Sequence, residues 1–136
     1  MSGVTIIGAL LNASTAVTAK VPSARIKAGQ LPDGVALPAL LVRGVSLIER
    51  KELKRGAIVR VTERVSVTVR ADSYRDQRAI IAEGLVRNAC AGFVGDLASF
   101  SRVSVTDGGC GPDLIGPANS FEQTQDFRVS FETSGS

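Results

Sequence analysis

The side chains able to do covalent or acid–base chemistry are few: two cysteines, Cys90 and Cys110, and thirteen carboxylates, with no histidine anywhere. Without histidine the chain lacks the commonest general base, the commonest metal ligand, and the Ser-His and Cys-His nucleophile pairs. A metal site built from carboxylates alone needs several Asp or Glu converging, whereas these are scattered among basic neighbours. No enzyme activity, metal or cofactor is therefore expected. "GGCG", residues 108–111, has the look of a phosphate-cradling loop, but such loops open onto a helix N-terminus, often with a lysine. This one runs into Pro112 and then Gly116-Pro117, so it reads as a turn between two strands. Nothing near Cys110 in sequence would lower its pKa, and Cys90 reads as a small core residue. Two cysteines this far apart form neither a disulfide scaffold nor a CxxC motif, and a reducing cytosol fits them best.

What remains is a pattern of charge. In "VRVTERVSVTVR", residues 59–70, Val59, Val61, Val65, Val67 and Val69 share one parity, and Arg60, Arg64 and Arg70 with Thr62, Ser66 and Thr68 share the other. Side chains alternate across a strand, so one face is made for a core and the other is a continuous polar stripe. Glu63 is the single interruption on the valine side. From residue 50 to 70 seven basic residues stand against two acidic, 7 − 2 = +5, while from 111 to 136 the balance is 1 − 4 = −3. A basic stripe could hold nucleic-acid phosphates, but the aromatics that accompany single-strand recognition are missing from this face. Non-specific duplex binding by a small basic module is the competing reading. The cluster Arg50, Lys51, Glu52, Lys54 and Arg55 fits either a solvated hairpin tip, kept soluble by charge, or a docking surface.

These residues need elements to place them. The chain has 136 residues, 44% hydrophobic and 21% charged, with a net charge of +3. That is one globular domain, residues 1–136, large enough to fold without staples. Aromatic residues make up 4% with no Trp, so Val, Leu, Ile and Ala must supply most of the core. No apolar run has the length of a bilayer crossing and no basic segment precedes the first apolar stretch, so neither a membrane span nor a cleaved signal is expected.

Ile7, Leu10, Leu11, Ser14 and Val17 predict an amphipathic helix over 4–17. Pro22, Pro32, Gly34 and Pro38 break the next segment, with a short strand near 25–27. Residues 39–50 read as a central strand. A charged hairpin extension over about 49–57 leads into the valine strand. Ser73 and Asp76 then form a capping box for a helix over 73–91, with Ile81, Leu85 and Ala89 on its buried side and Gly92 as its terminator. A short strand over 101–107, a glycine-rich loop over about 107–119 and an alternating strand over 120–132 complete the chain. The fold class is α+β: an antiparallel sheet of about four strands with two helices packed on one face, in the order α-(β)-β-β-α-β-β. The other sheet face is left uncovered.

The N-terminal amphipathic helix, "LPALLVRGVS", the charged hairpin, "RVSVTVRADSYRDQRAIIAEGLVRNA" and the closing "QTQDFRVSFET" together resemble the tail-completion, or tail-terminator, proteins of long-tailed bacteriophages and related gene transfer particles. The resemblance runs along nearly the whole chain, save the "GGCGPDLIGP" segment. It implies a virion protein, assembled in the host cytoplasm, of which six copies form a ring. That ring caps the growing tail tube, stops its polymerisation and meets the head's connector. A closed ring joins two different patches of one chain, and the +5 and −3 segments suit that arrangement. The sheet face with Arg60, Arg64, Arg70, Glu122, Asp126 and Arg128 would then meet a neighbouring protomer or line the lumen. DNA passing the channel would touch it transiently. The tip from Arg50 to Arg55 would contact tube protein or connector. A neck or head-closure component of similar fold is the nearest alternative.

Overall fold

The computed structural model describes residues 2–32, 34–54, 58–97 and 100–134, without the side chains at 2, 49–54 and 134. Its elements are helices α1 (Ser2–Ala13) and α2 (Thr15–Lys20), strands β1 (Ile26–Ala28), β2 (Ala39–Lys54) and β3 (Ile58–Ala71), and helices α3 (Tyr74–Gln77) and α4 (Leu85–Cys90). Strands β4 (Val94–Leu97), β5 (Phe100–Cys110), β6 (Leu114–Ile115) and β7 (Phe121–Ser134) complete the fold. They form one mixed sheet of seven strands among the described residues, in the order β1-β2-β3-β7-β5-β4, with β6 added beside β7.

The sheet is thus larger than the four strands expected and not wholly antiparallel. β1 pairs with β2 in parallel, Ile26 opposite Leu40, because the proline-broken segment between them returns over the edge rather than turning as a hairpin. The order differs too: the glycine-rich segment is strand, not loop, over 107–110 and at Leu114–Ile115, and ends in a short helical turn at Pro117–Asn119. β5 continues to Cys110, and β6 pairs Leu114 with Glu122 and Ile115 with Phe121.

The helices lie on the valine face. Ile6, Ile7, Leu11, Val17 and Val21 from the first pair join Ile80, Ile81, Val86 and Cys90 and the strand residues Val65, Val67, Val69, Phe127 and Phe131 in one buried cluster. Neither long helix is continuous. Ser14 ends the first and starts the second, its extended backbone (φ −83°, ψ 115°) letting its Oγ accept from the Val17 N–H at 3.3 Å. That is the N-cap role Ser fills best, so a position counted in the apolar stripe is a boundary.

The second helix begins as expected, with the Asp76 N–H donating to Ser73 Oγ at 3.2 Å. It then widens to π-helical bonding, Glu83 N–H to Arg78 O at 2.8 Å, and stops at Gly84, whose φ of +94° suits glycine. Had it run on, the buried line Gln77, Ile81, Gly84 would have reached Asn88. The break shifts the phase, so Asn88 is exposed while Val86 and Cys90 are buried, and Leu85 and Ala89 are only half-buried.

Glu63, the interruption on the valine side, is 7% exposed and its Oε2 accepts the Gly3 N–H of α1 at 3.2 Å. A carboxylate under a helix N-terminus meets both the unpaired first-turn amides and the positive end of the helix dipole. It fixes where α1 crosses the sheet.

Candidate assembly interface

β3 and β7 run in unbroken register from Ile58 opposite Ser134 to Ala71 opposite Phe121. This sets the polar residues of the two strands side by side on the face away from the helices. Arg70 Nε meets Glu122 Oε2 at 2.7 Å, Arg64 Nη2 meets Asp126 Oδ2 at 2.7 Å, and Arg60 Nη1 meets Glu132 Oε2 at 3.4 Å. Between them Thr68 pairs with Thr124 at 2.9 Å and Thr62 with Ser130 at 2.7 Å. Arg64 faces Arg128 across the register and reaches diagonally to Asp126 instead; Arg128 is exposed and forms no ion pair among the described residues. Cross-strand pairs of this kind contribute roughly 0.2–1 kcal/mol each, reduced by salt where they are open to solvent.

The arginine stripe is therefore a ladder of matched charges rather than a free basic surface. Counting Arg60, Arg64, Arg70 and Arg128, with Arg43 opposite Ser66 and Arg102 also reaching Glu132, against Glu122, Asp126 and Glu132 gives 6 − 3 = +3. Three arginines of the basic segment are paired with three carboxylates of the acidic segment within the chain. Affinity for nucleic acid grows with the number of phosphates that cations neutralise, and the pairing of Arg60, Arg64 and Arg70 lowers the number this face can offer.

All six expected face residues are thus brought together. The hairpin tip is only partly described. Arg50, Lys51, Glu52 and Lys54 belong to the backbone of β2, opposite Val61, Arg60, Val59 and Ile58, while their side chains and all of Arg55 lie outside the described residues. β7 accompanies β3 as far as Ser134, so this end of the sheet is three strands wide rather than a lone hairpin.

β2 is less central than its composition suggests. β1 covers it only from Leu40 to Val42, and beyond that no described strand pairs with its outer edge. Val45, Leu47 and Ile48 are 55%, 57% and 43% exposed there. The strand slips register against β3 at Gly44/Ser46, Leu47/Glu49 and Glu52/Lys54.

Three glutamines hold the glycine-rich segment, two of them through its aspartates. Gln77, Gln123 and Gln125 are buried. Gln125 Nε2 donates to Asp107 Oδ1 at 2.7 Å, and Gln123 Nε2 to Gly111 O at 2.8 Å. Asp113 accepts from Gln77 Nε2 at 2.7 Å and from the Tyr74 hydroxyl at 3.0 Å. Gln123 and Gln125 share the apolar parity of β7; two polar residues on a core face were the available sign that something polar must sit over them.

Cys110 accepts from Gln123 Nε2 at 3.2 Å. Partial burial, then the carboxylates of Asp107 and Asp113, push its thiol pKa up, and burial pushes Cys90 up to about 12. Since the thiolate is the reactive form, Cys110 should alkylate more slowly at pH 8 than free cysteine, checked by iodoacetamide labelling and mass spectrometry. Faster labelling would contradict the acidic surroundings. No group of three or more His, Cys, Asp or Glu converges in a metal-binding cluster among the described residues, and no described helix is long and apolar enough to cross a membrane.

No known protein-family model matches this chain, and no curated protein matches it. Its structure is similar to that of a chain from the virion of a native gene transfer agent particle, with a TM-score of 0.69 and 15% sequence identity over 96% of this chain and 94% of that one. The two share a fold along essentially their whole length.

Proposed function

We propose that this chain is a non-enzymatic structural protein of a phage-like particle, and within such a particle the tail terminator. The observation that carries the particle assignment is the end-to-end likeness to a chain of a gene transfer agent virion. The terminator role rests on the sequence resemblance and on the shape of the sheet. A charged three-strand end is supported on the core, and the polar face already pairs three of its arginines with carboxylates of the same chain. In this reading six copies close into a ring at the tail end nearest the head, cap the tube, stop its polymerisation and offer the head connector its docking surface. Its partners are itself, the tail tube protein and the connector proteins. DNA passing the lumen makes at most transient contact.

The test targets the hairpin tip, Arg50, Lys51, Glu52, Lys54 and Arg55. Reversing charge together at Lys51, Lys54 and Arg55 to Glu should leave the melting temperature near that of the unaltered chain. Particles carrying the variant should show overlong tails or tails unattached to heads in negative-stain images. Tails of normal length, joined to heads, would remove the terminator assignment. A ring seen on the head side of the connector, rather than at the tube's end, would make the protein a head-closure component instead.

A further inference from the structure

We infer that the free outer edge of β2 is the docking site for the β5–β6 edge of a second copy of this chain, a head-to-tail contact that deepens the ring reading and rests on it. The two surfaces lie at opposite margins of one sheet. On one side β2 is unpaired beyond Val42 and exposes Val45 and Leu47, while Ile48 turns onto the polar face beside Arg64 and Arg128. On the other no described strand lies outside Thr106–Cys110, and β6 in line with it exposes Leu114 and Ile115, 52% and 66%. Exposed large apolar side chains grouped on a strand edge mark an interaction surface.

Charge selects the partner. The β2 edge begins with Arg43, exposed and without an ion pair among the described residues, and from 43 to 55 the sequence carries five basic residues against two acidic, 5 − 2 = +3. The opposite edge presents Asp107 and Asp113, both exposed and neither in an ion pair among the described residues. Each margin thus pairs exposed apolar groups with a charge of opposite sign, Arg43 on one and Asp107 and Asp113 on the other. No strand pairing joins the two margins within one chain among the described residues, whereas successive copies can bring them together.

The acidic side is also held in place in advance. The amide bonds from Gln77, Gln123 and Gln125 tie residues 107–113 to the body, so docking does not have to order a loose glycine-rich loop. The three register slips in β2 distort its hydrogen-bonding row, which disfavours an open-ended backbone ladder and leaves side chains to make the contact.

Sedimentation velocity of the full chain over a concentration series tests this, alone and on purified tail tubes. Two double variants are compared, Val45→Asp with Leu47→Asp, and Leu114→Asp with Ile115→Asp. Each should weaken self-association at least about 30-fold. Mixed in equal amounts they should form pairs that grow no further, since each retains one intact margin. Circular dichroism confirms folding, and Leu47→Ser alone or Leu114→Ser alone replaces the double variant of the same margin if that one fails to fold. Variants that associate like the unaltered chain would overturn the edge contact and leave the ring standing. Failure of the mixture to pair, while the unaltered chain associates, would also overturn it. An unaltered chain that stays single both in solution and on tubes would overturn the contact and the ring together.

Discussion

Phe131→Ala is expected to lower stability by about 3–5 kcal/mol, at the upper end for a single core truncation. Phe131 is 1% exposed and meets Phe100 edge to face, ring centroids 5.0 Å apart at 66°. Its neighbours in the cluster are mostly valine and isoleucine. β-Branched side chains have little rotamer freedom, so they cannot swing in to fill a hole the size of a phenyl ring. The lost aromatic pair adds roughly 0.5–1.5 kcal/mol to the transfer and cavity costs. For a domain this size the melting temperature should fall by roughly 10–15 °C. Urea unfolding should show a lower midpoint at unchanged slope. A loss below about 1.5 kcal/mol would mean that the core repacks freely and that the helices are not seated as described.

Gly3→Val should cost about 1–3 kcal/mol, and its effect should be confined at first to α1. A Cβ at Gly3 would stand 2.8 Å from Glu63 Oε2 and 2.8 Å from Val65 Cγ2, the second of these a stiff group buried in the sheet. The helix must then lift away, losing the bond from its Gly3 amide to Glu63. Gly8 gives the control. A Cβ there meets nothing within 4 Å, so Gly8→Ala should stabilise the helix by roughly 0.5–1 kcal/mol. Hydrogen exchange of the α1 amides should accelerate in the first variant and slow in the second. If both changes moved stability in the same direction, close seating of α1 on β3 would be wrong.

The parts of this fold legible in sequence are those set by local periodicity. The alternating valines of β3, the alternating Phe127, Val129 and Phe131 of β7, and Ser73 as a helix cap are dictated by neighbours within a few positions. The illegible parts depend on distant partners. Glu63 looks like a defect in a strand until a helix 60 residues away in sequence is placed over it. Arg60, Arg64 and Arg70 look like a free basic stripe until β7, 52 to 72 residues further on, lines up its carboxylates. The glycine and proline content of 107–117 hides strand structure because its backbone is held by buried side-chain amides, which no local propensity encodes. In the same way, one left-handed glycine, Gly84, divides a helix whose apolar stripe reads as continuous.

Copies of one chain arranged about an axis turn identical surfaces toward each other across the bore. In the ring proposed above, a β3 face of bare guanidinium groups turned toward the bore would make every copy repel every other, and closure would depend on counterions condensing in the hole. With Glu122, Asp126 and Glu132 each set against an arginine of the same chain, that mutual repulsion is reduced before any copies meet. In the proposed ring, crowding subunits around a narrow opening would then take less electrostatic work, most noticeably at low salt.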